Sequence, residues 1–382
     1  MLPGDFGAPA AFAASMVAVV IRDATESMTE SVQIAASLGL WSWVAQNWAA
    51  IAIALTVASL LVFLVLLLAK YVRISLNIFI DTHPPVLLGP GVFQPLLGEE
   101  VRFRSFDGTS LRGMHLAATR ASASKGTIVF CHEFGSDMYS CARYARPLIE
   151  NGFDVFTFDF RGHGESSCPR KYQPLQWPSD KEMEDVLGAC AYVESCLAAE
   201  GRCSDVGIFG VSRGAGAALL AASSDHNIKA IVCDGAFSTE ATLMALMKKW
   251  AYIFARVKLV YEHHPDAFWR FLAWLLIRFA QPKLSRRFPS VIKALRDMQP
   301  RPILFIHGRR DSYILENQSR LLHVEAPSPK YLWLVPEARH NQSVTVEPRQ
   351  YAARTVAFFR RYLADEAVGE SQIVAPAEAD VA

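Results

Sequence analysis

Two hydrophobic patterns divide the chain. From residue 31 to residue 69 no position is charged, and from 48 to 69 only Thr56 and Ser59 interrupt an apolar run. At about 1.5 Å per residue such a run reaches about 33 Å, the thickness of a bilayer's hydrocarbon core. Residues 60–68 are apolar on every side of a helix, so the pattern predicts one transmembrane helix at 48–69, with Trp41, Trp43 and Trp48 in an interfacial belt. A shorter apolar stretch at 8–21 ends in Arg22 and Asp23. It reads as an interfacial helix within an N-terminal segment 1–47. The chain start lacks the basic region of a cleaved signal peptide.

From residue 100 onward the periodicity changes. Residues 101–106 and 110–116 flank Asp107-Gly108-Thr109 and predict a hairpin. Short apolar runs follow at 127–130, 155–158, 206–209, 230–233, 303–306 and 332–335, separated by helix-length stretches. The expected fold is α/β: a mostly parallel sheet with helices on both faces, an antiparallel hairpin at one edge, and ligands at the strands' C-terminal ends. Between Asp234 and Ile303 the spacing exceeds an ordinary crossover, which predicts a helical lid insertion at about 237–297. In it Leu243, Met247, Trp250 and Phe254 recur at helical spacing, as do Phe268, Leu272, Leu275 and Phe279. Residues 70–99 carry Pro84, Pro85, Pro90 and Pro95 and read as a semi-rigid connector, and the tail 364–382 reads as disordered.

Candidate chemistry clusters where the runs of the second pattern end. Gly210-Val211-Ser212-Arg213-Gly214 joins an apolar run to a small-residue helix pattern. There a strained turn pushes the serine hydroxyl outward, and bulky neighbours would clash. A serine hydroxyl is a weak nucleophile until an imidazole takes its proton and a carboxylate orients that imidazole. Asp311 and His340 stand after later runs, in the order Ser, Asp, His. Upstream, Cys131-His132-Glu133-Phe134-Gly135 offers backbone N–H groups to an oxyanion, and Asp159-Phe160-Arg161-Gly162-His163-Gly164 ends another run.

With these four motifs in this order, residues 101–363 resemble the α/β-hydrolase superfamily. The resemblance implies Ser212 as nucleophile, His340 as general base, Asp311 as the orienting acid, and the amides of Phe134 and Arg213 as the oxyanion hole. Rivals are Asp234, also at a run's end, for the acid, and His307 and His323 for the base. His132 and the 161–164 loop suit the ordering of loops around the site. The Arg213 side chain suits a solvated helix surface better than an anionic substrate group. One departure matters: Glu133 replaces the family's usual glycine, and its carboxylate would oppose an anionic transition state unless it turns outward or pairs with arginine.

Charge sharpens this picture. The 382-residue chain is almost neutral, at +1, yet residues 242–296 hold eleven Lys or Arg against Glu262 and Asp266. Such an insertion either lies on an anionic leaflet or packs on the core with its charges in solvent. Lys70 and Arg73 follow the predicted span, whereas 23–69 holds Asp23, Glu26 and Glu30 and no base, so the positive-inside rule puts the hydrolase domain in the cytoplasm of a single-pass protein. Were 8–21 to cross as well, that orientation would change. Seven cysteines, an odd number spread through predicted elements, suit reduced thiols. With no zinc spacing or phosphate loop, neither metal nor cofactor is expected, and no nucleic-acid partner. The expectation is a membrane-anchored serine hydrolase acting on a hydrophobic or lipid ester. A peptidase, a thioesterase and a catalytically silent scaffold stand as alternatives.

Overall fold

The computed structural model describes residues 8–81, 94–119, 124–254 and 264–374. Helix α1 runs without a break over Ala8–Asp81. Boundaries expected at 47 and 70 are absent because no proline lies between Pro9 and Pro84 and Gly39 is the lone glycine. By length and composition α1 is the candidate membrane span among the described residues, and the side chains of its apolar stretch face outward all round. The chain forms two compact units, one up to Tyr71 and one from Val72 onward. Residues 72–81, expected as connector, are therefore helix and belong to the second unit. Val72, Leu76, Phe79 and Ile80 turn inward at helical spacing, and Phe79 is wholly buried. The proline-rich part at 82–93 lies outside the described residues.

The second unit is built on an eight-stranded sheet. Its strands are β1 Glu99–Arg104, β2 Ser110–Leu116, β3 Thr127–Cys131, β4 Asp154–Phe158, β5 Val206–Val211, β6 Ile228–Asp234, β7 Ile303–Gly308 and β8 Lys330–Val335, in the spatial order β1-β2-β4-β3-β5-β6-β7-β8. The hairpin β1–β2 and the pair β2–β4 are antiparallel, and all other pairs are parallel. β3, β5 and β7 are buried at every position, as continuous apolar runs covered on both faces should be.

Each face has its own core. On one, β-strand residues such as Val129, Ile208 and Phe305 pack with α3 (Asp180–Ala199), α4 (Arg213–Ala222), α7 (Val291–Asp297) and α8 (Asn317–Glu325). On the other, Phe130, Phe209 and Trp333 meet α2 (Cys141–Glu150) and α10 (Pro348–Tyr362), the latter preceded by the short α9 (Ser343–Val346). The tail is ordered further than its composition suggests. Val368, Ile373 and Val374 are buried, and Arg354 donates to the Ile373 carbonyl at 3.1 Å, so the hydrolase unit reaches at least residue 374. Local composition could not reveal that anchor; residues 375–382 lie outside the described residues.

The insertion holds α5 (Thr239–Phe254) and α6 (Asp266–Leu284), followed by α7. Leu243 and Met247 are buried, with Trp250 half-buried beside them. Helix α6 buries Trp269, Ala273, Leu276, Ile277 and Ala280; of the expected stripe Phe268, Leu272 and Leu275 are half-buried, the first two against the same cluster, and Phe279 is exposed. Since α6 is apolar nearly all round, periodicity alone could not choose the face. The inward face centres on Trp269, Ala273, Leu276, Ile277 and Ala280, and the ring of Phe279 is left in solvent.

Elements approach closely at the start of α4. A Cβ on Gly214 would lie 2.3 Å from the Cys131 carbonyl oxygen, and one on Gly210 would lie 2.5 Å from the Ala215 Cα. Both obstacles are backbone. Gly214→Ala is therefore expected to destabilise the fold by about 1–3 kcal/mol and lower its melting temperature by several degrees. An unchanged melting temperature would show that the approach is looser.

Candidate active site

Ser212 caps the N-terminus of α4 at φ 51°, ψ −116°, a conformation that side chains other than glycine seldom adopt. Its amide donates to the Asp234 carbonyl at 2.7 Å, which fixes the turn against the end of β6. The hydroxyl donates to His340 Nε2 at 2.9 Å, and His340 Nδ1–H donates to Asp311 Oδ2 at 2.6 Å. Asp311 is held in turn: its Oδ1 accepts from the amides of Tyr313 and Ile314 at 2.9 and 2.8 Å. The Tyr313 ring packs edge-on to His340 at 5.4 Å. Three residues far apart in sequence thus form one buried hydrogen-bonded chain beyond the ends of β5, β7 and β8.

The rivals have other hydrogen-bond partners, although His307 Nε2 also lies 3.5 Å from Asp311 Oδ2. His307 Nε2–H donates to the Ile314 carbonyl at 2.9 Å and its Nδ1 meets Ser319 Oγ at 2.7 Å. His323 lies on α8 with its ring against Phe305. Asp234 accepts from the Tyr351 hydroxyl at 2.8 Å through one oxygen, while the other is buried without a hydrogen bond. Burial pushes its carboxyl up to about 7, with the neighbouring Asp311 and Glu133 adding to the rise.

The oxyanion-loop residues come next to this chain through α4. Arg213 is the first residue of α4, where an N–H has no acceptor within its own helix. The approach of Gly214 to the Cys131 and His132 carbonyls sets the 132–135 loop beside the serine turn. His132 anchors that loop, its Nδ1 bonded to the Glu133 carbonyl at 2.7 Å and its Nε2 accepting from the Phe160 amide at 3.1 Å. The Glu133 carboxylate turns to the Ser140 hydroxyl at 3.2 Å and to Arg143 at 3.9 Å. Burial pushes its carboxyl up toward the neutral acid, which weakens its opposition to an oxyanion.

The Arg213 side chain is not on a solvated surface. It is wholly buried, with its guanidinium carbon 5.2 Å from the Phe134 ring centre and 5.0 Å from that of Phe160. It donates to the Leu175 carbonyl at 3.1 Å and lies 3.7 Å from the buried Glu182. Against the burial that would neutralise it, Arg213 and Arg286 hold the Glu182 carboxyl below its ordinary range, helped by the Ser179 and Tyr172 hydroxyls. A helix-surface expectation fails here because the loop before α3 folds over α4. The 161–164 loop plays the ordering part: Arg161 binds Asp185 through Nη2 and Asp107 through Nη1, both at 2.7 Å. Sequence reasoning missed Glu182 and Leu175, which only the tertiary fold brings to Arg213. Ser179 with Glu182 is a capping box at the start of α3, and that signal was present in the sequence.

Comparison with known proteins agrees with this architecture. The family model for serine aminopeptidase, S33, matches residues 122–267, a stretch that holds Ser212 and the 131–135 loop and stops before Asp311 and His340. An esterase of Pyrococcus furiosus superposes with a TM-score of 0.53 at 21% identity, over 73% of this chain and 97% of that one. The fold is that of the α/β hydrolases. Another α/β hydrolase structure, GrgF from Penicillium sp. sh18, gives a TM-score of 0.51 at 16% identity over 70% of this chain and all of that one. In sequence, YfhR of Escherichia coli O157:H7 is 25% identical over 280 residues, 70% of this chain and 81% of that protein. YqkD of Bacillus subtilis is 24% identical over 64% of this chain and 73% of its own.

Asp234 generates a prediction specific to this fold. A carboxyl raised to about 7 in the fold binds its proton more tightly than in the unfolded chain, so its contribution to stability falls as pH rises from about 4 to about 7. Asp234→Asn is expected to melt above wild type at pH 8, with the difference shrinking toward pH 5. Equal pH dependence of the two melting curves would contradict the assignment.

Proposed function

We propose that this protein is a membrane-anchored serine hydrolase that cleaves carboxylic esters of hydrophobic or lipid-like substrates. The observation that carries the proposal is the chain Ser212 Oγ, His340 Nε2, His340 Nδ1, Asp311 Oδ2, with contacts of 2.9 and 2.6 Å and the carboxylate fixed by two amides. In the first step His340 Nε2 takes the hydroxyl proton as Ser212 Oγ attacks the ester carbonyl carbon. The amides of Phe134 and Arg213 receive the developing oxyanion. Collapse of the tetrahedral intermediate breaks the bond to the alcohol, which leaves with the proton from His340. Water, deprotonated by the same imidazole, then releases the acid and restores Ser212. Asp311 keeps the proton on Nδ1 and stabilises the imidazolium.

Two features support a hydrophobic substrate at a bilayer. Helix α1 is long and apolar enough to cross one, and Lys70 and Arg73 after its apolar stretch support a cytoplasmic hydrolase unit by the positive-inside rule. Helix α6 leaves Phe271, Trp274 and Phe279 exposed by 49, 58 and 53%, next to Arg270 and Arg278, a combination suited to an anionic lipid interface. Lysophospholipids and acylglycerols fit both features. Amide cleavage is the second reading, favoured by the serine aminopeptidase family model across residues 122–267. A silent scaffold, suggested by Glu133, loses its main support once that carboxylate is turned to Ser140 and Arg143.

Turnover of matched ester, thioester and aminoacyl-amide substrates by the full chain in detergent tests the reaction class. The ester is expected to be fastest, and Ser212→Ala to lower kcat/KM by at least about 10⁴-fold. Faster amide cleavage would move the assignment to a peptidase, and ester turnover undiminished in Ser212→Ala would remove the acyl-enzyme. Phe271→Ser combined with Trp274→Ser is expected to slow hydrolysis of a vesicle-embedded ester about tenfold while sparing a soluble short-chain ester. Equal effects on both substrates would place these residues in the catalytic unit's packing instead.

A further inference from the structure

The last turns of α1 hold more than a link to the apolar stretch before them. Residues 72–81 belong to the hydrolase unit, and Phe79 lies at the centre of its third apolar cluster with Leu175, Trp177, Phe237 and Phe288. The Phe79 ring stacks on Trp177 with centroids 4.9 Å apart and planes 1° from parallel, and meets Phe288 edge-on at 5.3 Å. Trp177 Nε1–H donates to the Phe79 carbonyl at 2.9 Å, which satisfies the indole in an otherwise apolar setting.

The loop so held is the one that holds Arg213. Two residues before Trp177, the Leu175 carbonyl accepts from Arg213 Nη1 at 3.1 Å. One residue after it, Pro178 stands against α4, where a Cβ on Gly216 would lie 2.7 Å from its Cγ. The guanidinium then lies between the rings of Phe134 and Phe160. Phe79 is thus joined by consecutive contacts to Arg213 and Phe134, the two residues whose amides are proposed above to form the oxyanion hole.

We propose that Phe79 is a positioning residue of the active site: through Trp177 and Leu175 it fixes the Arg213 side chain, and through that side chain the Phe134 loop. It touches neither substrate nor the reacting atoms. The helix end is by this account part of the oxyanion hole's support. The proposal rests on the oxyanion role given above to Phe134 and Arg213, while its structural link is measurable without any catalysis.

The test uses the full chain in detergent with Phe79→Ala, the conservative Phe79→Leu, and Phe153→Leu as a control in the opposite core, where Phe153 packs on Phe359. Amide hydrogen exchange is read over residues 131–137 and 172–178, together with kcat and KM on a soluble short-chain ester. Phe79→Ala should speed exchange in both segments at least fivefold and lower kcat about tenfold with KM within about twofold, since one lost oxyanion donor costs about 10²–10³ and displacement costs less. Phe79→Leu should recover most of both, and Phe153→Leu should lower the melting temperature without either change. Faster exchange confined to 72–81, or losses equal to those of Phe153→Leu, would overturn the proposal. Faster exchange in both segments of a protein whose wild type cleaves no ester would uphold the link and overturn the esterase reading instead.

Discussion

The close approach of α4 to the ends of β3 and β5 places everything else in the site. With glycine at 210 and 214 the backbone folds back so tightly that Ser212 is left at a positive φ, at a cost of about 1–3 kcal/mol that the surrounding structure must meet. Its amide is tied to the Asp234 carbonyl, and all ten residues of the helix that follows are buried. The strain has a direction. It turns the hydroxyl toward His340 and, in the same turn, brings Gly214 against the Cys131 and His132 carbonyls.

Charge is handled by enclosure around that turn. Three carboxyl groups lie behind the serine, each with its own solution. Asp311 accepts two amides and the imidazole. Asp234 is driven toward its neutral form by burial. Glu133 is partnered by Ser140 and Arg143 and is likewise raised. A buried cation on the other side, Arg213, is balanced by Glu182 and by two aromatic rings. One site thereby keeps a carboxylate beside His340, as the proposed chemistry requires of an imidazolium's partner, and limits negative charge beside Ser212.

Much of this was legible in the residues because it is local or periodic. The parallel strands β3 to β8 show as apolar runs because strands covered on both faces admit little polar alternation, while the edge pair β1–β2 shows as a hairpin around Asp107-Gly108-Thr109. The turn at Ser212 and the ends of β7 and β8 mark Ser212, Asp311 and His340 because ligands gather at the C-terminal ends of parallel strands. What the residues did not reveal depends on tertiary cover. Arg213 looked like a surface residue because nothing in its own helix tells that residues 172–178 fold over it. Periodicity only partly fixes the inward face of α6 because its apolar residues circle the helix, and the tertiary contacts centre it on Trp269, Ala273, Leu276, Ile277 and Ala280. The end of α1 was read as connector although Val72, Leu76, Phe79 and Ile80 carry a helical period, overlooked beside the stronger proline signal that follows.

The central claim is that Ser212 is an activated nucleophile. Its most direct measurement is the site of covalent attachment of a fluorophosphonate probe on the detergent-solubilised full chain, mapped by peptide mass spectrometry, in wild type and in His340→Ala. A single adduct on Ser212 that is formed far more slowly in His340→Ala is the predicted result. A folded wild type that takes up no probe, or an adduct on Ser212 that forms as fast without His340, would contradict it.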